Sequence, residues 1–330
     1  CIRDRLKTML ETDLAWSSTD FGFFTGGYSF LNVFFLMLIW GGLILDRFGI
    51  RFTGKLATIL MVGGTALEYY AMTGLAGADA TLFGINEIFG YKTGVFVAFA
   101  GYSIFGVGAE VAGITVSKII AKWFKGKELA TAMGVQVALA RIGSQAGYAV
   151  AIPLARAFGI STPVLLGLVL LLGGMIAFFI FAVMDKKLDK QMEAAAIAAG
   201  TEDEEEKFSF KDVKNILVNP GFWLIALLCV LFYSCVFPFQ KFASELMIIK
   251  YGINENVAGT FAGLPALGAL ILTPVFGGFI DKRGKSASIM LLGSAMLICV
   301  HFIYAIPDIN YWLVAIVLMI ILGIASSLVP

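Results

Sequence analysis

Charge is scarce in this sequence. Asp, Glu, Lys and Arg make up 14% of its 330 residues, against roughly 25% in a water-soluble globular chain. Hydrophobic residues reach 59%, more than an apolar core accounts for, so a soluble fold is excluded. A net charge of +1 offers no basic footprint for nucleic acid. Histidine occurs once, as His301, and cysteine four times. Cys229, Cys235 and Cys299 fall in apolar stretches and Cys1 stands at the start, without the spacing of a zinc site or a disulfide framework. Neither metal nor cofactor is expected. No nucleophile stands beside a base in any readable pattern, so enzyme chemistry is not expected either.

In place of charge the chain has long apolar runs. Nine stand out, at about 21–45, 55–77, 93–118, 129–155, 161–184, 221–248, 255–280, 286–306 and 311–330. A run of about 20 apolar residues, rising 1.5 Å per residue, crosses a hydrocarbon core of about 30 Å. The reading is an all-α polytopic membrane protein with about nine spans. Its Lys and Arg concentrate in the connections near 46–55, 118–128, 185–220 and 281–285, which the positive-inside rule places in the cytoplasm, with residue 1 on the opposite side. Residues 185–220, with GTEDEEEK at 200–207, read as a solvated cytoplasmic linker. That divides an N-terminal bundle, 1–184, from a C-terminal one, 221–330. The chain opens on Cys-Ile-Arg and closes on ASSLVP inside an apolar run, so a piece of a longer, truncated protein is expected.

An internal repeat supports two related halves. GGLILDRFGIR (41–51) and GGFIDKRGK (277–285) each end an apolar run on a glycine pair, then place Asp and basic residues in a short turn. Matching elements in two halves are the organisation of secondary transporters. The aspartate suits the exposed N–H groups of a neighbouring helix start, with Arg51 or Lys285 compensating its charge. Gly42, Asp46, Arg47, Gly49 and Arg51, with Gly277, Asp281, Lys282, Gly284 and Lys285, resemble the loop signature of the major facilitator superfamily, although Ile50 is inserted in the first copy. That resemblance implies two six-helix halves, with the nine runs as helices 2 to 10 of twelve.

Two charges interrupt the apolar runs. Glu110 lies in FGVGAEVAGITV and Arg141 in ALARIGSQ, on either side of the turn KWFKGKEL. In an antiparallel hairpin about that turn, both fall about 20 Å from it, near mid-membrane. Each alone costs about 2.5–3.5 kcal/mol on insertion scales; facing a common cavity, they offset each other. A purely structural bridge remains the plain alternative, but ionisable residues at that depth more often line a pathway. Arginine offers a fork of donors to a carboxylate and glutamate accepts an ammonium, so the pair points to a zwitterionic solute.

WFKGKEL (123–129), ARIGS (140–144), DRFGIR (46–51), CVFPF (235–239) and PVFGGFIDKRGK (274–285) are similar to the lysosomal dipeptide uniporter branch of that superfamily. The resemblance implies passage of dipeptides by alternating access, with Glu110 and Arg141 holding the peptide termini and Tyr28, Asn32, Tyr233 and Phe237 completing the cavity. Tyr102 stands where the branch tends to have a basic residue. An accessory membrane glycoprotein is implied for eukaryotic members, and both a lysosomal membrane and a bacterial inner membrane fit the absence of an Asn-x-Ser/Thr sequon.

Other readings stay open. Glu68 and His301 are candidate proton carriers, or simply hydrogen-bonding residues between helices. Gly22/Gly26 and Gly259/Gly263 have the spacing of helix-packing surfaces. The rivals are a proton-coupled monocarboxylate or other organic-anion transporter and, from another class, a non-transporting membrane scaffold or sensor.

Overall fold

The computed structural model describes residues 10, 13–75, 81–82, 84–124, 128–199, 215, 217–284 and 286–328. They form ten helices and one short β pair: α1 Ser18–Phe34, α2 Met37–Thr73, β1 Glu87–Ile88, β2 Tyr91–Lys92, α3 Thr93–Trp123, α4 Leu129–Phe158, α5 Thr162–Ala199, α6 Pro220–Ile249, α7 Glu255–Ala262, α8 Leu264–Arg283, α9 Ser286–Ala305 and α10 Trp312–Leu328. The β pair is antiparallel, with Glu87 opposite Lys92.

Helix ends follow local chemistry. Ser17 caps α1 by accepting from the Asp20 amide at 3.1 Å, while the Asp20 carboxylate accepts from the Ser17 amide at 2.8 Å, a reciprocal capping box. Asn219 accepts from the Gly221 amide at 2.8 Å and Pro220 opens α6, where a missing N–H costs nothing. Gly284, at φ +67°, ends α8, a conformation that a side chain resists.

The all-α reading stands, but nine spans do not. Among the described residues, four helices are long and apolar enough to cross a membrane: Thr93–Trp123, Thr162–Gln191, Thr260–Arg283 and Ser286–Ala305. A fifth is reached if α1 and α2, bent by 58° at their break, form one broken span. Within the runs expected at 129–155, 221–248 and 311–330, the apolar stretches whose side chains are described, Leu129–Gly143, Pro220–Val236 and Trp312–Leu328, fall short of the roughly 20 residues that span hydrocarbon, although α4 and α6 themselves continue to Phe158 and Ile249. The runs at 21–45 and 55–77 meet at a kink inside the expected connection, and a further break divides the first of them. The helix breaks at Phe35–Leu36, where Leu36 takes φ +51°. The kink within α2 falls in the expected 46–55 connection, where Gly49 (φ 74°, ψ 174°) is non-helical and two helical segments join. The assignment of helices 2 to 10 of twelve falls with that count.

The chain forms two compact units. The first gathers Ile2–Ile119 and Tyr148–Phe208; the second gathers Ile120–Gly147 and Ser209–Pro330. In the first, α1, α2 and α3 meet at small residues. A Cβ on Gly106 would lie 2.3 Å from the Tyr28 carbonyl oxygen, and one on Gly101 2.7 Å from that of Gly64, so neither helix pair tolerates a side chain there. Close backbone approach at small residues is how helices associate where no water drives them together. Gly22 and Gly26 take no part, since a Cβ on either meets nothing within 4 Å; Gly27 makes the contact instead, against Phe99. In the second unit, α8 and α10 cross at Gly268 and Gly323, and a core of Met247, Val300, Tyr304, Met319 and Leu322 fills the space among α6, α9 and α10.

Candidate functional site

Tyr28 lies on α1 at the Gly106 contact, so its ring projects along α3 toward Glu110. Its hydroxyl donates to Glu110 Oε1 at 2.8 Å. One turn further along α1, Asn32 Nδ2 donates to the Tyr28 carbonyl at 3.3 Å. Asn32 Oδ1 is buried and has no hydrogen-bond partner among the described residues. An aromatic wall backs the carboxylate: Tyr102 stacks on Phe24 at 5.1 Å and on Phe105 at 6.0 Å, and tilts against Tyr28 at 5.5 Å. Glu110 and Tyr28 are both half-buried. A carboxylate oriented by one hydroxyl keeps further lone pairs for a ligand's ammonium. Aromatic faces add a cation–π contribution, and a vacant amide oxygen suits a peptide N–H.

The structure thus brings Tyr28, Asn32 and Glu110 together within the first unit. Arg141 is half-buried on the part of α4 that belongs to the second unit. Tyr233, on α6 of that unit, is 49% exposed and packs edge-on against Phe232 at 5.3 Å. The side chain of Phe237 and all of Lys285 lie outside the described residues.

The two loop signatures have different partners. Asp46 pairs with Lys118 of α3 at 2.7 Å. The compensation by Arg51 expected from sequence is not found; Arg51 reaches α5 instead, 3.0 Å from Asp189 and 3.8 Å from the fully buried Asp185. Arg47 lies over the Phe48 ring, and a Cβ on Gly42 would meet nothing within 4 Å. Asp281, by contrast, accepts from the amides of Ala130 at 3.0 Å and Thr131 at 2.8 Å, and from the Thr131 hydroxyl at 2.7 Å. It therefore satisfies N–H groups at the start of α4 that no helical carbonyl reaches. Gly277 permits this approach, since a Cβ there would lie 2.6 Å from the Ala130 carbonyl oxygen. Lys282 is exposed, and Arg283 lies over the Phe279 ring.

Glu68 and His301 occupy different units. Glu68, on α2, is 7% exposed, lies against Gly101 and has no hydrogen-bond or ion-pair partner among the described residues. His301 Nδ1 lies 2.8 Å from the Leu297 carbonyl oxygen, to which it donates, and the ring meets Phe239 edge-on at 5.0 Å. Its Nε2 is buried without a partner among the described residues.

Sequence reasoning missed Lys118, Thr131, Asp185 and Asp189 as partners of the signature residues. Asp185 and Asp189 were hidden by reading 185–220 as a linker, whereas α5 continues to Ala199. Their four-residue spacing, which puts both on one helix face, was the available signal.

Residues 6–330 match the family model described as Major Facilitator Superfamily. The chain is 27% identical over 337 aligned positions to the lysosomal dipeptide transporter MFSD1 of Homo sapiens, covering 98% of this chain and 65% of that protein. The protein of the same name from Pongo abelii gives the same identity and coverage. The one from Gallus gallus is 31% identical over 241 positions, covering 69% of this chain and 51% of its own length. The chain thus spans just under two thirds of the mammalian relatives it matches.

Proposed function

The chain belongs to the major facilitator superfamily, and from that premise we propose that it is part of a secondary transporter of small zwitterionic solutes, dipeptides first, working by alternating access. The observation that carries the substrate class is the 2.8 Å hydrogen bond from Tyr28 to Glu110, with Asn32, whose Oδ1 has no partner among the described residues, bonded to the Tyr28 carbonyl. Glu110 takes the peptide ammonium, Asn32 Oδ1 a peptide N–H, and Arg141 the terminal carboxylate through its guanidinium fork. A solute that binds one state more tightly than the other shifts the populations of outward-open and inward-open states. The signature turns join this cycle: Asp281 ties the end of α8 to the start of α4, a link that one state keeps and the other releases. The relatives bear the name of a lysosomal dipeptide transporter, which agrees with this substrate class and favours a lysosomal membrane over a bacterial one. An accessory membrane glycoprotein would belong to that setting. The transport family agrees with the absence of enzyme chemistry expected from sequence.

The test is uptake by the full-length protein in liposomes, with Ala-Ala, free Ala and lactate compared. Preferential uptake of Ala-Ala supports the proposal; lactate uptake exceeding that of Ala-Ala overturns it, and no uptake of any solute favours a scaffold or sensor. A second reading, proton coupling, has one observation in its favour: the buried Glu68, which has no partner among the described residues. Under that reading an imposed pH gradient drives uptake and Glu68→Gln abolishes the drive. Uptake indifferent to the gradient returns the protein to uniport.

A further inference from the structure

The first unit holds a cavity of about 220 Å³ apart from the site above, between α2, α3 and α5. Thr58, Met61, Ala112, Thr115, Gly174 and Met175 are among the residues lining it. Its two hydroxyls are already engaged by their own helices. Thr58 Oγ1 donates to the Lys55 carbonyl at 2.9 Å, and Thr115 Oγ1 to that of Val111 at 2.7 Å. Both hydroxyl hydrogens are thus spent within the helices and the rest of the lining is apolar, which favours an apolar occupant. A dry cavity of about 150 Å³ already binds benzene, and drug-sized pockets begin near 300 Å³; this volume suits a stretch of alkyl chain.

The surroundings say where such a chain comes from. Along α5, Val169, Ile176, Ile180 and Val183 are each more than half exposed, and the most apolar stretch of that helix is not buried at all inside the protein. The cavity therefore borders a face that meets lipid. One turn beyond Thr58 and Met175, in the direction of Arg51 and Lys186, the Lys55 ammonium lies 5.4 Å from the centroid of the Phe179 ring. Lys186 and Lys187, two turns past Phe179 on the same face, are exposed. An apolar slot that ends under an ammonium matches an acyl chain joined to an anionic head. By the positive-inside rule this end faces the cytoplasm, whose leaflet carries anionic lipid.

We propose that the crevice between α2, α3 and α5 seats one acyl chain of an anionic phospholipid from the cytoplasmic leaflet, with Lys55 holding its head group. The lipid braces α5 against α2 beside the contact where Phe178 fills the space over Gly54; a Cβ there would lie 1.9 Å from the ring.

The experiment reconstitutes the full-length protein in nanodiscs with phosphatidylserine carrying a mid-chain diazirine, or with phosphatidylcholine carrying the same chain. After illumination, adducts are quantified on the peptides containing Met61 and Met175. One basic residue near the surface gives a preference of about fivefold for the anionic lipid. Lys55→Gln brings the two lipids to parity. Gly174→Leu, at a position where a Cβ meets nothing within 4 Å, fills the slot and lowers both adducts. Equal labelling by both lipids in the wild type overturns the head-group assignment. Absence of adducts on these peptides overturns the site, and means that another segment of the full-length protein fills it.

Discussion

The phenol of Tyr28 and the carboxylate of Glu110 meet at 2.8 Å across the contact between α1 and α3. That bond fixes the direction in which the carboxylate presents its remaining lone pairs. A hydrogen bond to a charged group contributes about 1.5–3 kcal/mol. Tyr28→Phe keeps the ring against Tyr102 and removes only the donor. Its expected effect is an increase of about tenfold in the KM for Ala-Ala uptake, with thermal stability close to wild type. An unchanged KM in a concentration series would show that Tyr28 plays no part in orienting Glu110.

The two aspartates of the repeated signature are expected to behave differently, because one binds a lysine and the other a helix start. Asp281→Asn removes the charge that holds the Ala130 and Thr131 amides. Loss of an N-terminal cap costs about 0.5–2 kcal/mol, so hydrogen exchange at these amides should rise about fivefold. Asp46→Asn breaks only an exposed pair with Lys118 and should leave exchange at α4 as it was. Equal effects from both substitutions would contradict the asymmetry.

Glycine contacts give a third comparison. Gly101→Ala puts a methyl group 2.7 Å from the Gly64 carbonyl oxygen and 2.9 Å from the Glu68 amide nitrogen. Both neighbours are backbone, which yields little, and overpacking of this kind costs about 1–3 kcal/mol. Gly26→Ala enters open space. In detergent, the first variant should melt several degrees below wild type and the second within a degree or two. Equal melting temperatures would mean that α2 and α3 are less closely apposed than the glycines indicate.

The same glycines mark what sequence can and cannot reveal. A GxxxG spacing drew attention to Gly22 and Gly26, yet Gly27 carries the contact, because spacing names a face and not the face that a neighbour chooses. The break at Leu36 gave no warning: FLMLIW contains neither glycine nor proline, so a left-handed leucine was invisible to any propensity argument. Span counting failed for a related reason, since hydropathy registers apolar length but not where a helix bends or ends. Buried charge was the readable signal. Glu110 stood out because a lone carboxylate among apolar residues needs a partner, and Tyr28 is the partner within its unit. The engagement of Asp281 with a helix start followed from the charge preference of helix N-termini. That Arg51 would bind α5 did not follow, since nothing in the signature specifies which acidic residue the fold brings near.

The division of labour between Glu110 and Arg141 can be read from substrate analogues. If Glu110 receives the ammonium, the wild type should discriminate against N-acetyl-Ala-Ala by about tenfold or more, because the acetylated end brings no charge and leaves a half-buried carboxylate unsatisfied. Glu110→Gln should lower uptake of Ala-Ala and erase most of that discrimination. If Arg141 receives the carboxylate, the same reasoning applies to Ala-Ala amide, and Arg141→Gln should erase discrimination at that end only. Arg141→Lys should recover part of it, since a lysine keeps the charge but loses the planar fork. Competition of each analogue against labelled Ala-Ala in proteoliposomes reads all four arms. If each variant lost discrimination at both ends, neither residue would be dedicated to one terminus, and the assignment of one terminus to each would fail.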